Sequence, residues 1–268
     1  RQRQMCIRDR DKTVYPLASL NEKDFHNLMH VYMDAVFYPN MYEKKEIMMQ
    51  EGWHYEIDEE TGELTYNGVV FNEMKGVYSS SEQQLYRIIE KSLLPHTAYG
   101  FESGGDPEAI PNLTQEDFIA FHKRYYHPSN SYIYLYGDMD AEAELRFIDE
   151  EYLQNFDYLE IDSALTDEPA FEKPVEVREY YSIAENESEQ DNTYLTYNTV
   201  VGTSADKKLC TAFSILEYAL LSAPGAPLKK ALIDAGLGKD ILSSFDDGIK
   251  QPNLSLIHIS EPTRRVVI

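Results

Sequence analysis

The stretch 66–95, YNGVVFNEMKGVYSSSEQQLYRIIEKSLLP, sets the tightest limit on what this chain can fold into. Tyr66, Val69, Val70, Glu73 and Val77 fall at i, i+3, i+4, i+7 and i+11, the spacing of one helical face. A carboxylate in the middle of an apolar face is costly unless a basic side chain, a proton or a metal ion neutralises it. Glu73 is therefore either a half-buried acid paired with Lys or Arg, the commoner situation, or a metal ligand. The helix is expected to break near 79–81. Ser79 and Glu82 have capping-box spacing for a second helix over 82–94, and Pro95 stops it.

The remaining chain reads as alternating strands and helices. Residues 13–19 read as a short strand. Asn21 starts a helix with the stripe Phe25, Leu28, Met29, Tyr32 and Val36, ended by Pro39. His26 and His30 lie at i and i+4 on it, a spacing that can hold a metal, but two solvent-facing histidines are the commoner case. Residues 41–55 read as a further helix running into Trp53, and 58–63 as a turn. The loop 96–111 carries GGDP but lacks the Lys-Ser/Thr of a phosphate loop, so it reads as structural. Thr114 caps a helix over 115–125. Residues 132–137 alternate as a strand with two usable faces, and 141–155 form another helix. The acidic, proline-containing 157–174 reads as a link. Beyond it, 175–183 and 193–201 read as strands around a polar loop, 205–221 and 228–235 as helices, and 240–251 as the lead into another strand.

Several of these segments resemble one family. GVVFNEMKGVYS around Glu73 is similar to the third-ligand helix of the pitrilysin/insulinase-type zinc metallopeptidases, in their presequence-protease branch. TVYPLAS (13–19), DAVFYP (34–39), QEGWHYE (50–56), SGGDPEAIPNLT (103–114) and FHKRYYHPSN (121–130) resemble that branch in its order, and LLSAPGAPLKKALIDAGLG resembles its second domain. The resemblance implies an α+β fold of two-layer αβ domains, mainly antiparallel sheet with helices packed on one face. It implies one zinc ion, held by two His of an upstream HxxEH helix and by Glu73. It implies cleavage of unfolded peptides, such as detached targeting sequences, between two similar halves of one polypeptide. Residues 13–19 would follow the edge where a peptide adds as a strand. No HxxEH occurs in this sequence.

The ends account for that absence. Met5-Cys6-Ile7-Arg8-Asp9 can be encoded by ATG TGT ATA AGA GAC, and Ser255-Leu256-Ile257-His258 by TCT CTT ATA CAC. The second string is the reverse complement of GTG TAT AAG AGA, which lies inside the first. Residues 1–10 and 254–268 therefore resemble a sequencing adapter translated in frame and are set aside from fold reasoning. The expected organisation is a first peptidase domain over 11–160 lacking its HxxEH part, a linker at 161–174, and the start of a second domain over 175–253. The general base would lie upstream, leaving no catalytic residue here and only Glu73 for metal. A chain with one ligand is expected to be inactive. Two other classes compete: a structural relative that has lost its metal, and a module that binds peptides without cutting them.

Composition narrows the partners. The net charge is −23; without the two ends it is 18 basic against 45 acidic residues, or −27. That disfavours nucleic acid and anionic membrane and favours basic peptides. No uninterrupted apolar run reaches the roughly 18–20 residues that span a bilayer. Cys210 is the one cysteine outside the adapter-like ends, so no disulfide framework or cysteine metal site is expected. The compartment would be the cytoplasm of a bacterium or the matrix of an organelle.

Overall fold

Short polar side chains set where most helices begin. A computed structural model describes residues 7–183, 193–236 and 240–260. The fold is α+β, with antiparallel strand pairing throughout the described residues. It forms two compact units: one takes the chain up to Gly76 together with Ser103–Ala164, the other Val77–Glu102 and the chain from Leu165 on. The division after Ala164 falls inside the segment expected to be a linker. Residues 77–102, expected in the first domain, fold with the second unit.

In the first unit, β1 (Ile7–Arg8) pairs with β2 (Thr13–Val14). Helix α1 (Glu22–Phe37) starts at Asn21, whose side chain accepts the Asp24 N–H. Its buried residues Met29, Met33 and Phe37 meet Ile148 of α6 (Ala141–Glu151) and the following Tyr152 in one cluster. Tyr152 Oη donates to the His30 carbonyl at 3.0 Å and to Asp34 at 2.9 Å, fastening these helices side by side. Where one longer helix was expected over 41–55, only α2 (Glu46–Glu51) forms. Gly52 ends it, and the chain turns into the hairpin β3 (His54–Ile57) and β4 (Leu64–Asn67). Helix α3 (Val69–Tyr78) runs through the division between units. Helix α5 (Gln115–Tyr125) begins with a full capping box between Thr114 and Asp117.

In the second unit, Ser80 rather than Ser79 caps α4 (Ser81–Leu93). Strand β5 (Thr193–Val200) precedes α7 (Lys207–Glu217), a π-turn (Tyr218–Ser222), α8 (Pro227–Asp234), and strands β6 (Asp240–Asp246) and β7 (Asn253–Ser260). The sheet order is β5-β7-β6. Alternation puts Tyr194, Val200, Leu242 and Ile257 on one face, where they join Ile89, Leu93 and Leu94 of the α4 end in the core. Phe245 belongs to the opposite face and stacks on Phe213 of α7 at 5.9 Å. Helix α4 thus meets one face of this sheet and α7 reaches the other, within the expected arrangement of antiparallel sheet and packed helices.

Other expectations also shift. Residues 254–260, set aside on codon grounds, form the central strand, and Ile7–Arg8 pairs with β2. The physical reason is alternation: Ser255 and Ile257 fall on the buried face of the strand, and Leu254 and Leu256 on the half-buried one. Of 13–19 only Thr13–Val14 is strand, and 132–137 and 175–183 form none, since no neighbouring strand among the described residues completes a ladder. The expected loop 184–192 lies outside the described residues. The stretch 161–174 is not free along its length: the Glu168 carboxylate accepts the His96 backbone N–H and pairs with the His96 ring, both at 2.8 Å, and Gln251 brackets its backbone. Burial pushes the Glu168 pKa up, but these hydrogen bonds prevail and hold it below the usual range. By length and composition, Lys207–Asp234 could cross a bilayer, a reach that counting uninterrupted apolar runs missed. It is interrupted by the π-turn and by Gly225 and Pro227, and it lies against β6.

The β7 pairing gives a direct test. Ile257 is only 1% exposed, whereas Leu195 on β5 is 64% exposed. Ile257→Ala should cost about 2–5 kcal/mol in urea unfolding, while Leu195→Ala should stay within about 0.5 kcal/mol.

Candidate functional site

Two glycines seat the helix that carries Glu73. Gly68 has φ +145°, and a Cβ there would lie 2.3 Å from the Gly52 carbonyl oxygen and 2.7 Å from the Trp53 Cα. The end of α2 and the end of β4 therefore touch backbone to backbone, and the Phe71 N–H donates to the Gly52 carbonyl at 3.3 Å. Buried Phe71 and Met74 anchor α3, and Met74 lies so close to Gly104 of the GGDP loop that a side chain there would displace it. The glycine-rich loop is a seat for α3, in keeping with its structural reading.

The anchored face is not the one the spacing suggested. Tyr66 belongs to β4, one residue pair inside the hairpin, so the helical phase cannot be counted from it. Phe71 and Met74 point inward, and Val69, Glu73 and Val77 lie on the exposed side. The Glu73 side chain makes no hydrogen bond or ion pair among the described residues, so the Lys- or Arg-paired alternative is not what this structure contains. The result is an exposed, unpaired carboxylate flanked by valines one turn before and one turn after.

A catalytic zinc site takes three protein ligands and keeps one position open. No group of three or more His, Cys, Asp or Glu among the described residues could hold a metal. The described residues thus do not make a zinc site by themselves; Glu73 offers one carboxylate of such a set. His26 is not a ligand candidate: its Nδ1 lies 3.0 Å from Glu144, and its ring packs on Phe147. His30 faces Asp34 at 3.3 Å. Cys210 is buried.

The sequence did not single out His122, the most enclosed histidine described. Its Nε2 lies 2.9 Å from the Val36 carbonyl and must carry the proton to donate there. Its Nδ1 therefore accepts from Tyr42 Oη at 2.7 Å, and Tyr126 stacks on the ring at 4.6 Å. Burial lowers its pKa, only partly offset by the bond to Val36. A neutral imidazole with both nitrogens satisfied ties α5 to the end of α1. It is a structural bond rather than a reactive one.

Comparison with known proteins gives a consistent picture. A model of the peptidase M16 inactive domain matches residues 112–260. Protein HypA of Clostridium perfringens is 55% identical over 247 residues, covering 92% of this chain and 25% of that protein. Presequence protease 1, chloroplastic/mitochondrial, of Arabidopsis thaliana is 41% identical over 250 residues, covering 92% of the chain and 23% of that protein. The mitochondrial presequence protease of Danio rerio is 36% identical, covering 92% and 24%. The chain thus spans about a quarter of the length of the curated relatives it matches. The first half of the periplasmic protease PqqL from Escherichia coli aligns with a TM-score of 0.49 at 16% identity, over 91% of this chain and 48% of that one, too distant a match to support an inference.

Two outcomes test this geometry. Gly68→Ala should destabilise the chain by at least about 2 kcal/mol in urea, because both the backbone angle and the Gly52 contact forbid a Cβ. Since the folded pKa of His122 lies below its ordinary value, its contribution is complete above pH ~6.5 and is lost as pH falls through the folded pKa. Stability should therefore decline on acidification below pH ~6.5, and His122→Gln should flatten that decline in urea titrations run across the range.

Proposed function

Because the chain belongs to the peptidase M16 family, whose inactive-domain model covers more than half of it, we propose that it is part of a zinc-dependent endopeptidase of unfolded peptides. Its relatives include proteins named presequence proteases, which supports cleaved targeting peptides as the substrate class. Glu73 carries the assignment within this chain. It is an exposed carboxylate without a partner among the described residues, on a helix held rigidly from its other face. In this reading Glu73 supplies one zinc ligand, and two imidazoles from an HxxEH helix outside this sequence supply the others. Zinc bound there would lower the pKa of a water and polarise a scissile carbonyl. Val69 and Val77 would lie against the helix bringing the histidines and keep bulk water from the carboxylate. In this reading residues 1–10 and 254–268 are translated adapter, and the second half of the parent polypeptide would close the chamber around the peptide. The bacterial and organellar relatives support a cytoplasmic or matrix location according to source.

A non-catalytic relative is the competing reading. An exposed carboxylate costs little, so Glu73 alone does not separate the two readings, and the upstream motif decides between them. The deciding experiment recovers the source DNA upstream of the Asp11 codon and expresses the extended protein. An HxxEH motif with one bound zinc per chain supports the peptidase. Native sequence without the motif overturns it. Glu73→Gln in the extended protein should weaken zinc binding by at least about tenfold, read by competition with a chelating dye. The 268-residue chain alone should show no chelator-sensitive peptide cleavage.

A further inference from the structure

The hairpin of β3 and β4 is built inside out. Tyr55 faces Tyr66 and Ile57 faces Leu64 across the ladder, so alternation brings all four to one side. They are 60%, 46%, 64% and 67% exposed. The polar side, His54, Glu56, Thr65 and Asn67, makes the hydrogen bonds instead: His54 Nδ1 donates to the Met49 carbonyl at 2.7 Å, and Asn67 donates to Glu56. A two-stranded hairpin with an exposed aromatic and aliphatic face is unusual for a solvent surface.

This face is held in shape before anything binds it. Trp53 at its base meets Tyr55 and Tyr66 edge-on, at 5.5 Å and 5.8 Å. Its Nε1–H donates to the Leu113 carbonyl at 2.9 Å. Tyr66 also contacts buried Phe71 at 5.8 Å, which ties the face to the anchored side of α3. Rigid aromatic side chains make low-entropy anchors for a partner.

Charge selects the partner. The hairpin carries Glu56, Asp58, Glu59, Glu60 and Glu63, of which Glu59 and Glu60 lie in the turn at the far end of the apolar face, and 53–67 contain no Lys or Arg. The Asp58 carboxylate accepts the N–H groups of Thr61 at 2.8 Å and Glu60 at 3.0 Å. The turn is therefore fixed with its acidic side chains exposed at the far end of the apolar face. We propose that Tyr55, Ile57, Leu64 and Tyr66 form a docking surface for a basic amphipathic polypeptide segment. The segment's apolar side chains cover the hairpin face, and its Lys or Arg side chains reach Glu59 and Glu60 at the turn. A second copy of this chain is disfavoured as occupant, because it would bring an equally acidic hairpin and a net charge of −23. An anionic membrane is disfavoured for the same reason.

The inference rests on this surface and not on zinc, so binding is measured in EDTA. Its failure leaves the peptidase reading standing, and the reverse also holds. The chain has one tryptophan, Trp53, whose emission reports directly on the face. The full chain is titrated with a tryptophan-free leucine/lysine amphipathic peptide, with a leucine/glutamate peptide of the same pattern, and with a lysine/serine peptide of the same charge. The leucine/lysine peptide should saturate the emission change and bind at least about tenfold more tightly than either control. Ile57→Ser with Leu64→Ser should weaken binding at least about tenfold. Glu59→Gln with Glu60→Gln, which leaves the apolar face intact, should weaken it severalfold and reduce its salt dependence. Equal binding of the leucine/glutamate peptide, unchanged binding by the glutamine variant, or no saturable binding overturns the proposal. So does self-association of the wild-type chain in sedimentation that the serine variant abolishes.

Discussion

The second unit depends on a single strand whose two edges are both hydrogen-bonded. β5 and β6 are not neighbours; each pairs only with β7. Without β7, seven or eight residues on each side would lose their ladder, and the buried Ile257 would leave the cluster formed with Ile89, Leu93, Leu94 and Ile249. A ladder asks little of sequence: free backbone donors and acceptors, and side chains that alternate in phase with the pleat. Residues 254–257 meet that demand whatever DNA encoded them. The codon complementarity of the two ends concerns origin, and strand formation concerns pattern, so both can hold for the same residues.

The helices were legible because their signals are local. Asn21, Thr114 and Asp206 each accept an N–H of the first turn, and Pro39 and Pro95 end what precedes them. Helix α4 was found within one residue, although the cap moved from Ser79 to Ser80. Strands were less legible because alternation reports faces and not partners. Residues 132–137 alternate well, yet Tyr132, Tyr134 and Tyr136 stand almost wholly in solvent and Leu135 alone joins a core cluster. Helix α2 was overextended because nothing in 41–55 marks Gly52 as the point where backbone meets backbone; only the contact with Gly68, sixteen residues on, shows it.

The candidate site was half legible. Helix α3 was visible, but the face that carries Glu73 was misassigned by including Tyr66, a strand residue, in the helical count. That error reversed the electrostatic argument. A buried carboxylate demands compensation, whereas an exposed one costs little and can remain unpaired. Pattern alone therefore does not force a ligand on Glu73. The zinc proposal draws its weight from family membership, and the structure contributes a carboxylate that no neighbouring base already occupies. His122, by contrast, was invisible to pattern because its partners Tyr42 and Val36 lie about eighty residues away in sequence.

The exposed side of α3 and the hairpin face place their charge differently, and the placement separates their chemistry. Around Glu73 one carboxylate lies between Val69 and Val77. Covering such a surface removes the acid from water, which is favourable only if a cation comes with the covering group. On the hairpin Glu59 and Glu60 stand beyond the apolar residues, at the turn. Covering that face leaves the carboxylates hydrated, so their field can draw in a basic partner without a desolvation penalty. The first arrangement suits short-range coordination and the second suits capture, and they lie on either side of the same Gly52–Gly68 contact.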